Sequence, residues 1–326
     1  MSESVLVCGG AGYIGSHMVQ KLLEDGRHVV VLDNLSTGHR EALSSVELIE
    51  ADLLDREALS SLFKRFSFEC VFHFCAKSIV GESSCDPYSY YRNNVEGTLR
   101  LLETMRSHDV SNIIFSSTAA IFGLPTTDFI DETHSRVPIN PYGRSKLMVE
   151  DILQDASSAY GLSSVCLRYF NAAGALPELG LGEAHACETH LIPNILLSAL
   201  GKVSTLQVFG DDYPTIDGTC VRDYVHVEDL ADAHSLALDY LRINRGAHAF
   251  NLGNGNGFSV LEVIKAAEEV VGRPIAHRIT DRRKGDPHTL VASSRKAHTE
   301  LAWRPKWTEL HAIVDSAWRW HRSPAF

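Results

Sequence analysis

The sequence has seven cysteines, an odd number, and no Cys-x-x-Cys pair. Neither a disulfide framework nor a paired-cysteine zinc motif is therefore indicated. Cys8, Cys70 and Cys166 fall in apolar, strand-like runs, the usual setting of buried free thiols. Long apolar stretches are also missing, and no run approaches the length needed to cross a bilayer. The first residues, Met1-Ser2-Glu3-Ser4, lack the basic region and apolar stretch of a signal peptide. Positive charge is scarce: 30 Lys and Arg stand against 41 Asp and Glu, a formal charge of −11. General affinity for nucleic acid or anionic membrane is thereby disfavoured. No internal repeat or low-complexity segment is present. These absences describe a soluble protein of a reducing cytoplasm. Its 326 residues suffice for one large domain or two.

What is present is organised around Val5-Leu6-Val7-Cys8-Gly9-Gly10-Ala11-Gly12-Tyr13-Ile14-Gly15. A β-branched apolar run meets glycines spaced Gly-x-x-Gly-x-x-Gly, and an amphipathic run follows from Met18 to Leu23. That order reads as buried strand, tight turn and helix. Backbone stripped of side chains can approach a pyrophosphate, and the helix start offers unpaired N–H groups to it. A second strand, His28 to Leu32, ends at Asp33, the place for an acid that holds an adenosine ribose. A carboxylate there would repel a 2′-phosphate, which favours NAD over NADP despite nearby Arg40.

A third strand, Val46 to Ala51, ends at Asp52-Leu53. Asp52 either hydrogen-bonds an adenine amino group or is merely solvated, with Asp55 as the cap of a helix from Arg56 to Phe66. The strand Cys70 to Phe74 runs into small residues, Cys75-Ala76-Lys77-Ser78, which leave room for a ligand at a parallel sheet edge. His73 reads as a packed core residue. Pro87 opens a helical pattern through Met105. Within it, one of Asn93 and Asn94 faces the site or satisfies buried backbone.

The strand Asn112 to Phe115 delivers Ser116-Ser117-Thr118-Ala119-Ala120 to the same edge. A helix from Pro141 to about Tyr160 then places Tyr142 and Lys146, four residues apart, on one face. A nearby ammonium favours the phenolate, so Tyr142 could act as a base at neutral pH. Surface Tyr/Lys pairs are common on helices, so this pair gains meaning only from its company. Later strands are expected at Ser164–Arg168, Thr205–Gly210 and His248–Leu252, and helices at Glu228–Leu241, Ser259–Val271 and Leu310–Trp320. His185, Cys187 and His190 match no standard zinc spacing, so no metal is expected.

The glycine turn, the Ser/Thr group and Tyr-x-x-x-Lys together resemble the extended short-chain dehydrogenase/reductase family. Several segments resemble more narrowly its UDP-glucose 4-epimerases. They are Gly9 to His17, Leu32 to Leu35, Val80 to Ser83, Asn93 to Thr98, Ser116 to Ala120, Tyr142 to Glu150 and Leu167 to Asn171. The resemblance implies a Rossmann-type doubly wound parallel sheet with a smaller α/β substrate domain. The expected division is 1–171 for NAD, with 225–252 returning to it, and 172–224 plus 253–326 for a UDP-sugar.

It further implies inversion at carbon 4 of a UDP-hexose, with Thr118, Tyr142 and Lys146 as catalytic residues. The cofactor would be held by Gly9, Gly12, Tyr13, Ile14 and Gly15, by Asp33 and Asn34, and by Asp52 and Leu53. Phe74, Cys75, Ala76, Asn93, Ser116 and Phe170 would complete that set with Tyr142 and Lys146. The substrate would meet Thr118, Asn171, His190, Leu191, Gln207 and Phe209. Arg222 and Arg283 would reach its phosphates, Tyr224 would help place them, and Asp286 would take the ribose hydroxyls. Leu290, four residues after Asp286, would limit the pocket beside the sugar 2-substituent.

Some family members carry a lysine where Ser78 stands, which leaves the role of Lys77 open. Sugar-nucleotide 4,6-dehydratases need an acidic pair where this chain has Ala119 and Ala120. A UDP-pentose, UDP-uronate or UDP-N-acetylhexosamine 4-epimerase, or an inactive NAD-sensing protein, shares the scaffold. The resemblance also implies a homodimer paired through Pro87–Met105 and Tyr142–Tyr160.

Overall fold

Alternation along the first strand sets the layers. In β1 (Ser4–Cys8), Val5 and Val7 face one core while Leu6 and Cys8 face another. A strand apolar on both faces must be covered on both, which is the signature of a doubly wound parallel sheet. The computed structural model bears this out; it describes residues 4–326 apart from Ser44, Asp128, Ser204 and Lys284. Seven parallel strands form the main sheet. In spatial order they are Glu47–Glu50, Val29–Asp33, Ser4–Cys8, Phe68–His73, Asn112–Thr118, Ser163–Tyr169 and Ala247–Leu252. Helices Tyr13–Glu24 and Val227–Ile243 cover one face through Met18, Leu22, Leu230 and Leu238. Helices Arg56–Arg65, Gly97–Ser107 and Pro141–Tyr160 cover the other through Leu59, Leu101 and Val149. Truncating a fully buried member such as Leu6 to alanine would cost about 2–5 kcal/mol.

A second, five-stranded sheet joins Gly257–Ser259, Val221–His226, Thr289–Ala292 and Phe129–Ile130, with Asn171–Ala173 alongside. Leu206–Phe209 pairs separately with His277–Thr280. Helices Leu191–Ala199, Val260–Val271 and Leu310–Arg322 pack together around Ile195, Ile264 and Ile313. The division at residue 171 is interleaved. Phe129–Ile130 pairs in the smaller sheet, while Ala297, Leu301 and Trp303 join the core beneath the large one. Val221–His226 straddles the expected boundary at 225 and lies wholly in the smaller sheet.

The long helix expected from Pro87 is interrupted by a π turn at Tyr91–Glu96, beside helix Pro141–Tyr160. Cys8, Cys70 and Cys166 are buried free thiols, as expected. Among the described residues, no helix is long and apolar enough to cross a membrane.

Candidate active site

Thr118 ends a strand of the large sheet, and Asn140 opens the helix that faces it. The Asn140 carboxamide oxygen accepts from the Gly143 N–H at 2.8 Å, and Pro141 occupies the first turn, where a missing N–H costs nothing. A Cβ on Gly143 would sit 2.5 Å from the Ala120 carbonyl oxygen, so glycine lets this helix approach the Thr118 turn. Tyr142 and Thr118 line one cleft, and the Thr118 hydroxyl is placed to hydrogen-bond the phenol. One turn on, Lys146 is buried and donates Nζ–H to the Ser116 carbonyl at 2.7 Å.

The electrostatics differ from the sequence expectation. Burial raises the Tyr142 pKa, only partly opposed by Thr118, and lowers that of Lys146 from 10.5 to about 7. The polypeptide alone therefore holds the phenol above its ordinary pKa. Desolvation disfavours the charged form of both groups.

A further turn along, Glu150 anchors a network that sequence reading missed. Arg168 forks onto its two carboxylate oxygens at 2.9 and 2.6 Å, Ser117 donates to Oε1 at 2.6 Å, and Arg136 approaches at 3.2 Å. These contacts fix the helix against two strands directly behind Lys146. The period Tyr142, Lys146, Glu150 was the available signal.

The glycine turn suits a dinucleotide. A Cβ on Gly15 would fall 2.0 Å from the Gly9 carbonyl oxygen, so backbone packs on backbone there. Gly12 leaves helix Tyr13–Glu24 without a side-chain cap, so its first N–H groups point outward. Asp33 ends its strand with Oδ2 accepting from Ala11 N–H at 2.9 Å and Oδ1 from Leu35 N–H at 2.8 Å. Arg40 pairs with Glu50 rather than standing free for a 2′-phosphate. Asn34 Nδ2 donates to Asp52 Oδ2 at 2.7 Å, joining the second and third strand ends, while Asp55 caps its helix. Leu53 is buried beneath that edge. The Phe74 N–H bonds the Cys8 carbonyl at 2.8 Å, which brings Phe74 and Cys75 beside Gly9, with Ala76 next in the chain.

Asn94 proves to be the buried asparagine. It clamps both backbone groups of Lys77 and donates to Ser145 Oγ at 2.9 Å, with Asn93 half-buried beside it. The Lys77 ammonium meets Glu82 at 3.0 Å, and Ser78 lines the cleft. Ser116 Oγ bonds the Tyr169 hydroxyl. His73 packs in the core with Nε2 on Thr98 at 2.8 Å, as expected.

Every substrate residue named from the sequence lines one cleft of about 660 Å³. Tyr142 and Thr118 form one wall with Ile14 and Phe170. Asn171 ties down its floor through Nδ2 to the Asp223 carbonyl at 2.8 Å, and Tyr224 pairs with it in register. His190 and Leu191 begin the next helix, and Gln207 and Phe209 come from the small strand pair. Arg222 lies opposite Leu290 in adjacent strands, and the Arg283 guanidinium covers the Phe209 ring at 3.8 Å, close to Asp286. The helix starting at Leu191 was not foreseen. Nor was the clustering of Glu183, His185, Glu188 and His190, whose ligand-type atoms all lie within 4.8 Å of one another.

A dinucleotide turn, a Thr/Tyr/Lys group and an arginine-bearing cleft lie at one sheet edge. The pattern of the NAD-dependent epimerase/dehydratase family matches residues 5–253. The chain belongs to that family. A UDP-glucose 4-epimerase from Halalkalibacterium halodurans is 52% identical over 319 residues, covering 98% of this chain and 96% of its own. The crystal structure of a UDP-glucose 4-epimerase from Brucella ovis in complex with NAD is 45% identical, with a TM-score of 0.95 over 97% of this chain and 98% of that one. The Bifidobacterium longum UDP-glucose 4-epimerase, in complex with NAD+ and UDP, is 39% identical with a TM-score of 0.93 over 98% and 99%. In this epimerase/dehydratase family member, NAD is the cofactor that the glycine turn and Asp33 suit.

Proposed function

We propose that the protein interconverts UDP-glucose and UDP-galactose by NAD-dependent epimerisation at carbon 4. The observation that carries this reading is that Tyr142, backed by Lys146, shares one cleft with Arg222 and Arg283. NAD supplies a reversible hydride acceptor at the sugar carbon. Tyr142 takes the 4-hydroxyl proton as that carbon is oxidised to a ketone, and returns a proton when the alcohol re-forms. Thr118 bonds the same hydroxyl and relays the proton. Lys146, fixed on Ser116, orients the Tyr142 helix and holds the nicotinamide ribose. Arg222 and Arg283 retain the diphosphate while the keto sugar turns over, since guanidinium forks suit phosphate oxygens. Asp286 takes the ribose hydroxyls. Returning the hydride to the opposite face completes the inversion with no net redox change.

Residues 1–171 with 225–252 serve mainly the cofactor and the remainder mainly the UDP-sugar, with Phe129–Ile130 and Val221–His226 in the smaller sheet and Thr118 and Tyr142 meeting the sugar from the larger one. Ala119 and Ala120 place no acid beside Thr118, which disfavours elimination of water from carbons 5 and 6. Leu99 and Met148 expose apolar surface on the two helices expected to pair, in keeping with a homodimer. The acidic charge and free cysteines agree with a reducing cytoplasm. The test offers purified protein a panel of UDP-sugars and follows the products by chromatography. UDP-galactose and UDP-glucose should each yield the other. Conversion of only pentose or uronate substrates would overturn the assignment.

A further inference from the structure

Glu183, His185, Glu188 and His190 lie within eight residues, at spacings that match no standard zinc pattern. The loop before helix Leu191–Ala199 folds them onto a common point. His185 Nδ1 stands 3.1 Å from Glu183 Oε1 and 3.5 Å from Glu188 Oε2. His190 Nδ1 contacts the same Glu183 Oε1 and lies 3.8 Å from Glu188 Oε1. Two imidazoles forming plain ion pairs could use both oxygens of Glu183, since a carboxylate offers about four acceptor sites. Here they converge on one. Metal–nitrogen and metal–oxygen bonds of about 2.0–2.2 Å place tetrahedral ligands about 3.3–3.6 Å apart, close to the separations of His185 from Glu183 and Glu188; His190 and Glu183, now in direct hydrogen-bond contact, would part to admit the ion.

We propose that these four side chains form a divalent-cation site of the zinc class, which holds the loop that presents His190 to the cleft. The chemistry balances: two carboxylates and two neutral imidazoles neutralise one divalent ion, in a place where Glu183 is only 4% exposed. Nitrogen and oxygen donors together suit zinc or a neighbouring first-row ion.

Surrounding contacts hold the donors in place, as ligand-orienting partners do. The Glu183 carbonyl accepts from Trp320 Nε1 at 2.8 Å. The N–H groups of Thr189 and His190 both bond Glu188 Oε1 at 2.7 Å. With Nδ1 ligated, each ring carries its proton on Nε2, so His190 would present a donor rather than a charge. This proposal does not depend on which sugar is turned over.

The experiment uses untagged full-length protein with its NAD, stripped with a chelator, incubated with zinc chloride and desalted. Metal is then counted by inductively coupled plasma mass spectrometry. About one zinc per chain is expected, with a melting temperature that rises on loading and falls again with EDTA. Glu183→Gln and His185→Gln should each lose at least about tenfold in retained zinc while keeping NAD, as expected when a ligand is lost. His185 is partly exposed, so its variant remains informative if Glu183→Gln fails to fold. Retention below about a tenth of an equivalent, or equal retention in wild type and the His185 variant, overturns the site. The cluster would then be a protonated His–Glu network.

Discussion

Lys146 donates to the Ser116 carbonyl at 2.7 Å, so the helix carrying Tyr142 is tied to the strand carrying Thr118. The same burial that places this ammonium lowers its pKa to about 7. The native chain thus binds fewer protons than the unfolded chain between pH ~7 and ~10.5, and stability rises with pH across that window. The penalty is fully present below about pH 7 and gone above about pH 10.5, with an upper bound on the order of 4–5 kcal/mol.

Lys146→Met should therefore be more stable than wild type. Loss of the Ser116 hydrogen bond offsets part of the gain, leaving about 1–3 kcal/mol near neutral pH. Urea midpoints across the pH range would check this, and the difference should shrink toward pH ~10. The variant should be inactive. A Lys146→Met protein less stable than wild type at pH ~6.5 would contradict burial as the cause.

Tyr142→Phe should lower turnover by at least about two orders of magnitude, the usual worth of a positioned base. KM should change little, because on the proposed mechanism the phenol acts on one hydroxyl while Arg222 and Arg283 hold the diphosphate. Initial rates with UDP-galactose would show it, and near-full activity would remove Tyr142 from the chemistry.

Mass spectrometry of denatured protein should find NAD. Asp33, proposed to take the adenosine ribose, would repel a 2′-phosphate, and Arg40 is engaged by Glu50, so recovery of NADP would contradict this reading.

Leu290 lines the cleft with Phe170 and packs against the small core of Ala119, Ile121, Phe122 and Ile130. It is smaller than tyrosine yet not small, and overfilling a packed site costs about 1–3 kcal/mol. UDP-N-acetylhexosamines should be turned over about ten- to a few-hundred-fold less efficiently than the plain hexoses. Leu290→Ser should raise that activity, and Leu290→Tyr should abolish it while sparing UDP-galactose. Equal kcat/KM for UDP-galactose and UDP-N-acetylgalactosamine in wild type would show that Leu290 does not limit the pocket.

The large sheet was legible because its strands are long, apolar on both faces, and separated by helical periods. Val5 to Cys8 and Val29 to Leu32 leave no other reading. The smaller sheet was not, since Phe129–Ile130 and Gly257–Ser259 are too short to show alternation, and their pairing is settled by distant chain. The residues proposed to hold substrate were named through family resemblance, and the structure brings them together in one cleft. Spacing placed the Lys146 charge near Tyr142 but could not show the burial that raises the phenol's pKa. Asn94 was anticipated only as one of two, because the π turn that decides which asparagine points inward leaves no sequence signature. His185 and His190 were set aside as metal ligands, and Glu183 and Glu188 were not joined to them, because their spacing follows a loop rather than a helix or a zinc ribbon.

The most direct test of the mechanism uses UDP-galactose deuterated at carbon 4. If Tyr142 moves only the hydroxyl proton and the carbon-bound hydrogen travels as hydride, UDP-glucose forms with the deuterium still on carbon 4. Proton abstraction from carbon would instead exchange it with water. Retained label in the product, analysed by NMR, is the predicted result; loss of the label to solvent, or no UDP-glucose at all, would contradict it.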